Sequence, residues 1–295
     1  MANPRYSASR FGCFDSCKLK YKWVYVDEFV AVGKQAELAT KGLAFHEIAE
    51  AMDSSKSIDD LNDIAKGILE GMEFDQEKYP VIKAIPRFFL WWQEYIRKWE
   101  SEGFVLEKES WQYSALEGKS IVGAIDVLLI NESTKEVIII DFKTGSTAKV
   151  AGYENQLLLY AYMMKNKLKT KYDKIKTYLF FPLAGLKDED VDNPDSVKKM
   201  MLKTFKEMIF SEDDVKDVLN NFKKIIKESD TTDWENLDLV QNSNMSFACS
   251  WCDFCGHPEY CPVTYKSGMR FPRKAKIMTK AELKELQKNE SEETS

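Results

Sequence analysis

The run Gly123-Ala124-Ile125-Asp126-Val127-Leu128-Leu129-Ile130, the polar break Asn131-Glu132-Ser133-Thr134-Lys135 and the run Glu136-Val137-Ile138-Ile139-Ile140-Asp141-Phe142-Lys143 decide how this chain folds. Each apolar run is bounded by turn-forming residues, which predicts two adjacent strands. Each carries one acid in apolar surroundings, so pairing the strands brings Asp126 and Asp141 to one place. Alternation along the second strand puts Asp141 and Lys143 on one face and Phe142 on the other. Two carboxylates suit a hard divalent cation, which takes few protein ligands and keeps waters for a substrate. An amine beside them can steer a metal-bound water or stabilise charge on a phosphate in flight. That is the chemistry of phosphodiester hydrolysis. A D-x-K at a strand end is also an ordinary solvated cap, so the rest of the chain has to weigh in.

Three features do. Tyr153-Glu154-Asn155-Gln156-Leu157-Leu158-Leu159-Tyr160-Ala161-Tyr162-Met163-Met164 reads as a helix starting about ten residues after Lys143. Gln156 and Tyr160, four apart, share one of its faces. His46, one of two histidines, lies in the amphipathic run Gly42 to Met52. On such a face it is either a core residue or a metal ligand. Finally, the six cysteines stand at 13, 17, 249, 252, 255 and 261, with 231 residues free of cysteine between the second and third. The opening Met1-Ala2-Asn3-Pro4-Arg5 leads into polar sequence without an apolar targeting run. A reducing, cytoplasmic setting is therefore expected, and thiols clustered there indicate zinc or an iron–sulfur cluster.

The order His46, Asp126, Asp141-x-Lys143, Gln156-x₃-Tyr160, bracketed by early and late cysteines, resembles the RecB-type PD-(D/E)XK nucleases. More narrowly it resembles their iron–sulfur branch, which includes CRISPR-associated RecB-like exonucleases and the nuclease domain of AddB. The opening Tyr6-Ser7-Ala8-Ser9-Arg10-Phe11 with Cys17 and Tyr21 is similar to that branch's first helix. The likeness covers roughly residues 6 to 265.

The resemblance implies an α/β, restriction-endonuclease-like core: a mixed central sheet flanked by helices, with an iron–sulfur lobe formed by both chain ends. It implies that His46, Asp126 and Asp141 hold Mg²⁺ or Mn²⁺, with the Phe142 carbonyl completing the protein's share. Lys143 would position or activate the attacking water, and Gln156 and Tyr160 would contact DNA and support the site. Cys17, Cys252, Cys255 and Cys261 would hold a [4Fe-4S] cluster, which by closing a very long loop would be structural. Cys13 and Cys249 are extra thiols, and Cys249, Cys252, Cys255 and Cys261 form an alternative, wholly C-terminal four-thiolate set. The activity implied is metal-dependent DNA cleavage, exonucleolytic on single-stranded ends. The alternatives are a non-catalytic DNA-binding subunit with a zinc-type cysteine site, and a CRISPR adaptation or recombination component acting only in a complex, with helicase or recombination partners.

The remaining sequence sets bounds. At 295 residues and 44% hydrophobic, the chain can bury a large core. One nuclease domain is expected over 1–265, with the lobe at about 6–30 plus 246–265 and a basic, then acidic, tail over 266–295. No apolar stretch reaches 18 residues, so no membrane span is expected. Helices are expected over 57–73, 79–102 and, as a pair, 194–229; strands over 104–113 and 175–181. Glu107 or Glu109, in the first of these strands, is placed near the metal. The aromatics of 79–102 (Phe88, Phe89, Trp91, Trp92, Tyr95, Trp99) read as core. A net charge of −6 does not favour nucleic acid, but 165–176 holds six lysines and 266–280 six basic residues, either of which could track a phosphate backbone. Gly118-Lys119-Ser120 ends like a phosphate-binding loop, but Tyr113 stands where the leading glycine is required, so no ATPase is expected.

Overall fold

A computed structural model describes residues 5–32, 36–53, 55–72, 81–185, 187, 193–238, 249, 252–255, 257, 259–261 and 276–293. Along the chain these form α1 (Ala8–Ser16), α2 (Lys18–Tyr21), β1 (Phe29–Val32), α3 (Ala36–Ala51), α4 (Ile58–Gly71), α5 (Ile85–Trp91) and α6 (Arg97–Ser101). There follow β2 (Val105–Leu116), β3 (Lys119–Asn131), β4 (Glu136–Phe142), α7 (Glu154–Leu168), β5 (Ile175–Phe180) and α8 (Pro194–Thr204). Then come β6 (Phe205–Met208), α9 (Glu212–Thr231), β7 (Lys276–Thr279) and α10 (Lys280–Glu293). The chain falls into two compact units, residues 1–5 with 38–220, and residues 6–37 with 221–295.

The first unit is built on a five-stranded sheet in the order β2-β3-β4-β5-β6, in which only the β4–β5 pair is parallel. The β2–β3 hairpin turns through Glu117 and Gly118, both left-handed (φ 51° and 72°), as a two-residue turn matched to strand twist requires. Gly118 is in that turn and Lys119 and Ser120 open β3, so the segment is a hairpin tip and no helix follows it. Between β3 and β4 the Asn131 side chain accepts from the backbone N–H of Ser133 and Thr134, folding the polar break into a turn. The parallel pair needs a long crossover, which α7 supplies.

Val137 to Phe142 are all buried, as a central strand covered on both faces must be. One face packs Val127, Leu129, Ile138, Ile140 and Phe142 against Phe45, Ile48, Phe88 and Trp91 of α3 and α5. α7 lies on the other face, where its Tyr160 ring covers Gly123 so closely that a Cβ there would stand 2.5 Å from it. α4 starts at a reciprocal Ser57/Asp60 capping box and buries Leu61, Ala65 and Leu69 at helical spacing. The aromatics of 79–102 are core: Phe88, Trp91, Trp92 and Trp99 are buried. The segment expected to be two helices over 194–229 contains, between α8 and α9, the short strand β6 paired with β5.

In the second unit β1 and β7 pair antiparallel from Phe29–Thr279, 250 residues apart, to Val32–Lys276, 244 apart. The Phe11 ring stacks on Phe222 at 4.0 Å, and the Tyr6 hydroxyl meets Ser229 Oγ at 2.7 Å. The Arg10 guanidinium lies 4.7 to 5.2 Å from the ring centres of Tyr6, Tyr21 and Tyr25, and its Nε donates to the Tyr21 hydroxyl. Segments from the two ends of the sequence thus share one aromatic core.

Candidate active site

The β3–β4 ladder runs from Asn131–Glu136 to Val127–Ile140 and ends there. Beyond it β3 stays paired with β2, and β4 with β5, so the sheet opens between Asp126 and Asp141. Asp126 enters the opening: its Oδ2 accepts from the Phe142 N–H at 2.5 Å. A strand residue sends its N–H and C=O to the same edge, so the Phe142 carbonyl also emerges on this side. Lys143 N–H turns the other way and donates to Phe180 O at 2.8 Å, extending the parallel ladder by one bond.

His46 of α3 closes the group. Its Nδ1 lies 3.1 Å from Glu109 Oε1 and 3.5 Å from Asp126 Oδ1. Among the described residues, His46, Glu109 and Asp126 form the group of three that offers ligand atoms all within 4.8 Å of one another. Asp141 stands beside this group, its carboxylate ion-paired with Lys143. Glu109 rather than Glu107 is the neighbour; Glu107 accepts from Ser110 Oγ instead. The choice follows from the backbone. Lys108 reaches the Met52 carbonyl and the Trp92 ring in the α3–α5 layer, whereas Gln112, on the same face by alternation, bonds Lys167 of α7. Between them Glu109 adopts φ 45°, and the strand changes faces there. Left-handed backbone at a bulky residue is costly and concentrates at functional sites. Only the presence of acids at 107 and 109 could have pointed to it from sequence.

Electrostatics mark the same spot. Burial, and then the nearby Asp141 charge, push Asp126 up to about 8. Asp141 is also raised by burial, against the opposing pull of Lys143. Burial alone would lower His46, but the Glu109 hydrogen bond and the Asp126 charge outweigh it and raise it. Crowded carboxylates that hold protons above their ordinary range are sites where a dication replaces those protons favourably. Oxygen donors with one imidazole, spread no wider than 4.8 Å, suit a cation about 2.0 to 2.6 Å from each ligand. The residues fit the ion.

Gln156 and Tyr160 act on Lys143. Lys143 Nζ donates to Gln156 Oε1 at 2.9 Å, Gln156 Nε2 to the Tyr160 hydroxyl at 2.8 Å, and that hydroxyl to Ala124 O at 2.6 Å. Burial raises the Tyr160 pKa, so its phenol keeps the proton it donates. The chain of bonds ties the ammonium to the backbone two residues before Asp126. The Tyr153 ring centre lies 4.6 Å from the same ammonium.

The thiols lie in the second unit. Cys252 N–H bonds Cys249 O and Cys255 N–H bonds Cys252 O, forming successive turns, and the Cys255 and Cys261 sulfurs are 3.9 Å apart. Cys17 Sγ caps α2 by accepting from Lys20 N–H. A hydrogen bond from Cys255 brings Cys252 down to about 6, while burial pushes Cys13 up to about 11; Cys13 also feels the charges of Cys17 and Cys252. Among the described residues no three sulfurs lie within 4.8 Å of one another. Of the basic runs, Lys165, Lys167 and Lys174 meet Glu212, Gln112 and Glu136. Lys276 to Thr279 form β7, while 266–275 lie outside the described residues.

No curated protein matches the chain significantly. Among solved structures it is similar to one titled "Crystal structure of SSO0001", at 14% identity and a TM-score of 0.34, over 77% of this chain and 98% of that one, a likeness too slight to carry an argument. The model of the PD-(D/E)XK nuclease superfamily matches residues 5–262. Nucleases of this superfamily use divalent metal ions, and DNA is the substrate the family indicates. No helix among the described residues is long and apolar enough to cross a membrane. With the family model spanning the opened sheet, the acid–imidazole group and the lysine relay alike, the chain belongs to the PD-(D/E)XK nuclease superfamily.

Proposed function

We propose that the protein is a Mg²⁺- or Mn²⁺-dependent deoxyribonuclease that degrades single-stranded DNA from its ends. The observation that carries this reading is the convergence of His46, Glu109 and Asp126 at the opening between β3 and β4, beside the Asp141–Lys143 pair. His46, Asp126, Asp141 and the Phe142 carbonyl would hold the ion, with Glu109 as a further carboxylate. A bound ion supplies Lewis acidity and a water of lowered pKa. Lys143, held by Gln156 and Tyr160, sets its ammonium where an attacking water or a charged phosphoryl oxygen would lie. The relay explains why a glutamine and a tyrosine four apart serve the site: they orient Lys143.

In the same reading, Cys17, Cys252, Cys255 and Cys261 hold a structural [4Fe-4S] cluster in the unit made from both chain ends. The low Cys252 pKa suits a thiolate ligand, and the high Cys13 pKa suits an inert thiol. The test is paired. Protein purified without oxygen should be brown, degrade a labelled single strand, stop in chelator and resume with Mg²⁺ or Mn²⁺. Colourless protein with one zinc per chain would remove the cluster alone. Absence of cleavage with every metal would remove the nuclease and leave a DNA-binding subunit.

A further inference from the structure

Past the change of face at Glu109, β2 continues to the sheet edge with Ser110 and Gln112 buried and bonded to each other, and Gln112 bonded to Lys167 of α7. Alternation therefore turns Trp111 and Tyr113 to the side away from α7, the side from which His46 of α3 meets Glu109. Both are open to solvent: Trp111 is 62% and Tyr113 58% exposed. Edge strands are usually blunted by charge or covered, so two bare aromatics on one are unusual. They are spaced about 6.8 Å apart, two strand residues and also two steps of a stacked base ladder. The Arg5 guanidinium lies 6.0 Å from the Tyr113 ring centre, which places positive charge beside the apolar pair. Leu43, one helical turn before His46, is 58% exposed.

We propose that Trp111 and Tyr113 are a base-stacking track for single-stranded DNA, which leads the strand along β2 to the Glu109 end of the active site. Unpaired bases offer their faces for stacking, whereas a duplex hides them, so such a track selects single strands irrespective of sequence. Charge beside the rings suits a phosphate backbone, and continuity along one strand delivers that backbone to the carboxylates. The proposal deepens the nuclease reading and rests on it for the direction of the track, but stacking itself is measurable without cleavage.

The experiment compares fluorescence anisotropy of labelled oligo-dT and of an equally long oligomer of abasic spacers, in chelator. Wild type should bind oligo-dT more tightly. Trp111→Ala/Tyr113→Ala should lose affinity for oligo-dT by roughly 30-fold or more, with no change for the abasic strand. Trp111→Phe/Tyr113→Phe should retain most of the preference, which excludes loss of fold as the cause. Mn²⁺-dependent hydrolysis of bis(p-nitrophenyl) phosphate, which has no bases, should be unchanged in both variants. The proposal is overturned if the double alanine variant binds oligo-dT like wild type, or if wild type binds both oligomers equally or neither. It is equally overturned if light scattering shows the alanine variant dissociating from a dimer while oligo-dT binding persists, since the patch then serves a second copy of the chain. Wild type that hydrolyses neither DNA nor the ester would end the nuclease reading and leave the binding comparison to judge the track.

Discussion

His46, Glu109 and Asp126 come from a helix and two strands of one sheet, whereas Cys252, Cys255 and Cys261 are set by short local turns in a unit assembled from the chain's two ends. The first group is positioned by the fold itself. Its carboxylates are crowded and its backbone is left-handed at Glu109. The thiols have aromatic stacking and one short strand pair around them, and among the described residues no three of their sulfurs lie within 4.8 Å of one another. A site built into a sheet should survive the loss of its ligands as a fold and fail as a catalyst. A site built from chain ends should fail as a fold.

The largest effects should separate the two. Asp141→Ala should abolish cleavage, beyond the roughly 10- to 100-fold lost when a residue one layer out from a metal is changed, and leave thermal unfolding near wild type. Cys252→Ser or Cys255→Ser should bleach the protein and drive it out of solution. Soluble, coloured Cys255→Ser protein would dissolve the contrast. Next, Lys143→Ala should lower kcat on the order of 10²- to 10³-fold with little change in DNA affinity, because its ammonium acts on charge that grows during attack. Equal losses in both would make it a phosphate anchor. Gln156→Ala should cost about 10- to 100-fold in kcat by releasing Lys143, and Glu109→Gln a similar factor in Mn²⁺ affinity.

A smaller effect follows from the raised Asp126 pKa. Its folded-state proton is held above the unfolded carboxylate range, so ionising it costs stability as pH rises from about 4 towards about 8. An incoming cation displaces that proton, and the one on His46, so Mn²⁺ should raise Tm more at pH 8 than at pH 5. Scanning calorimetry should show this dependence flattened in Asp126→Asn; an equal Mn²⁺ shift at both pH values would count against the assignment. The smallest effect is that of Cys13→Ser, which should keep colour, solubility and activity.

Much of the site could be read from residue order, and the reasons are local. Asp126, Asp141 and Lys143 stand out because a single charge in an apolar strand has few explanations, and Gln156 and Tyr160 because helical spacing is robust. What Gln156 and Tyr160 do was not legible: their bonds to Lys143 and Ala124 depend on the crossover that lays α7 over Gly123. Alternation treats Glu107 and Glu109 as equals, and a face change at a left-handed glutamate carries no composition signal. β6 escaped because Phe205 to Met208 is a strand only through its pairing with β5. Likewise β7 lies in a basic stretch that reads as surface, and only its partner β1 makes it a strand.

The most direct test of the metal centre follows free Mn²⁺ by its electron paramagnetic resonance signal while cleavage of a labelled single strand is timed in the same sample, for wild type and for Asp126→Ala at pH 8. In wild type, uptake of Mn²⁺ and the onset of cleavage should rise together. Asp126→Ala should take up no Mn²⁺ over that range and leave the strand intact while remaining folded. Undiminished cleavage by Asp126→Ala would contradict the assignment of the opened sheet as the catalytic metal site.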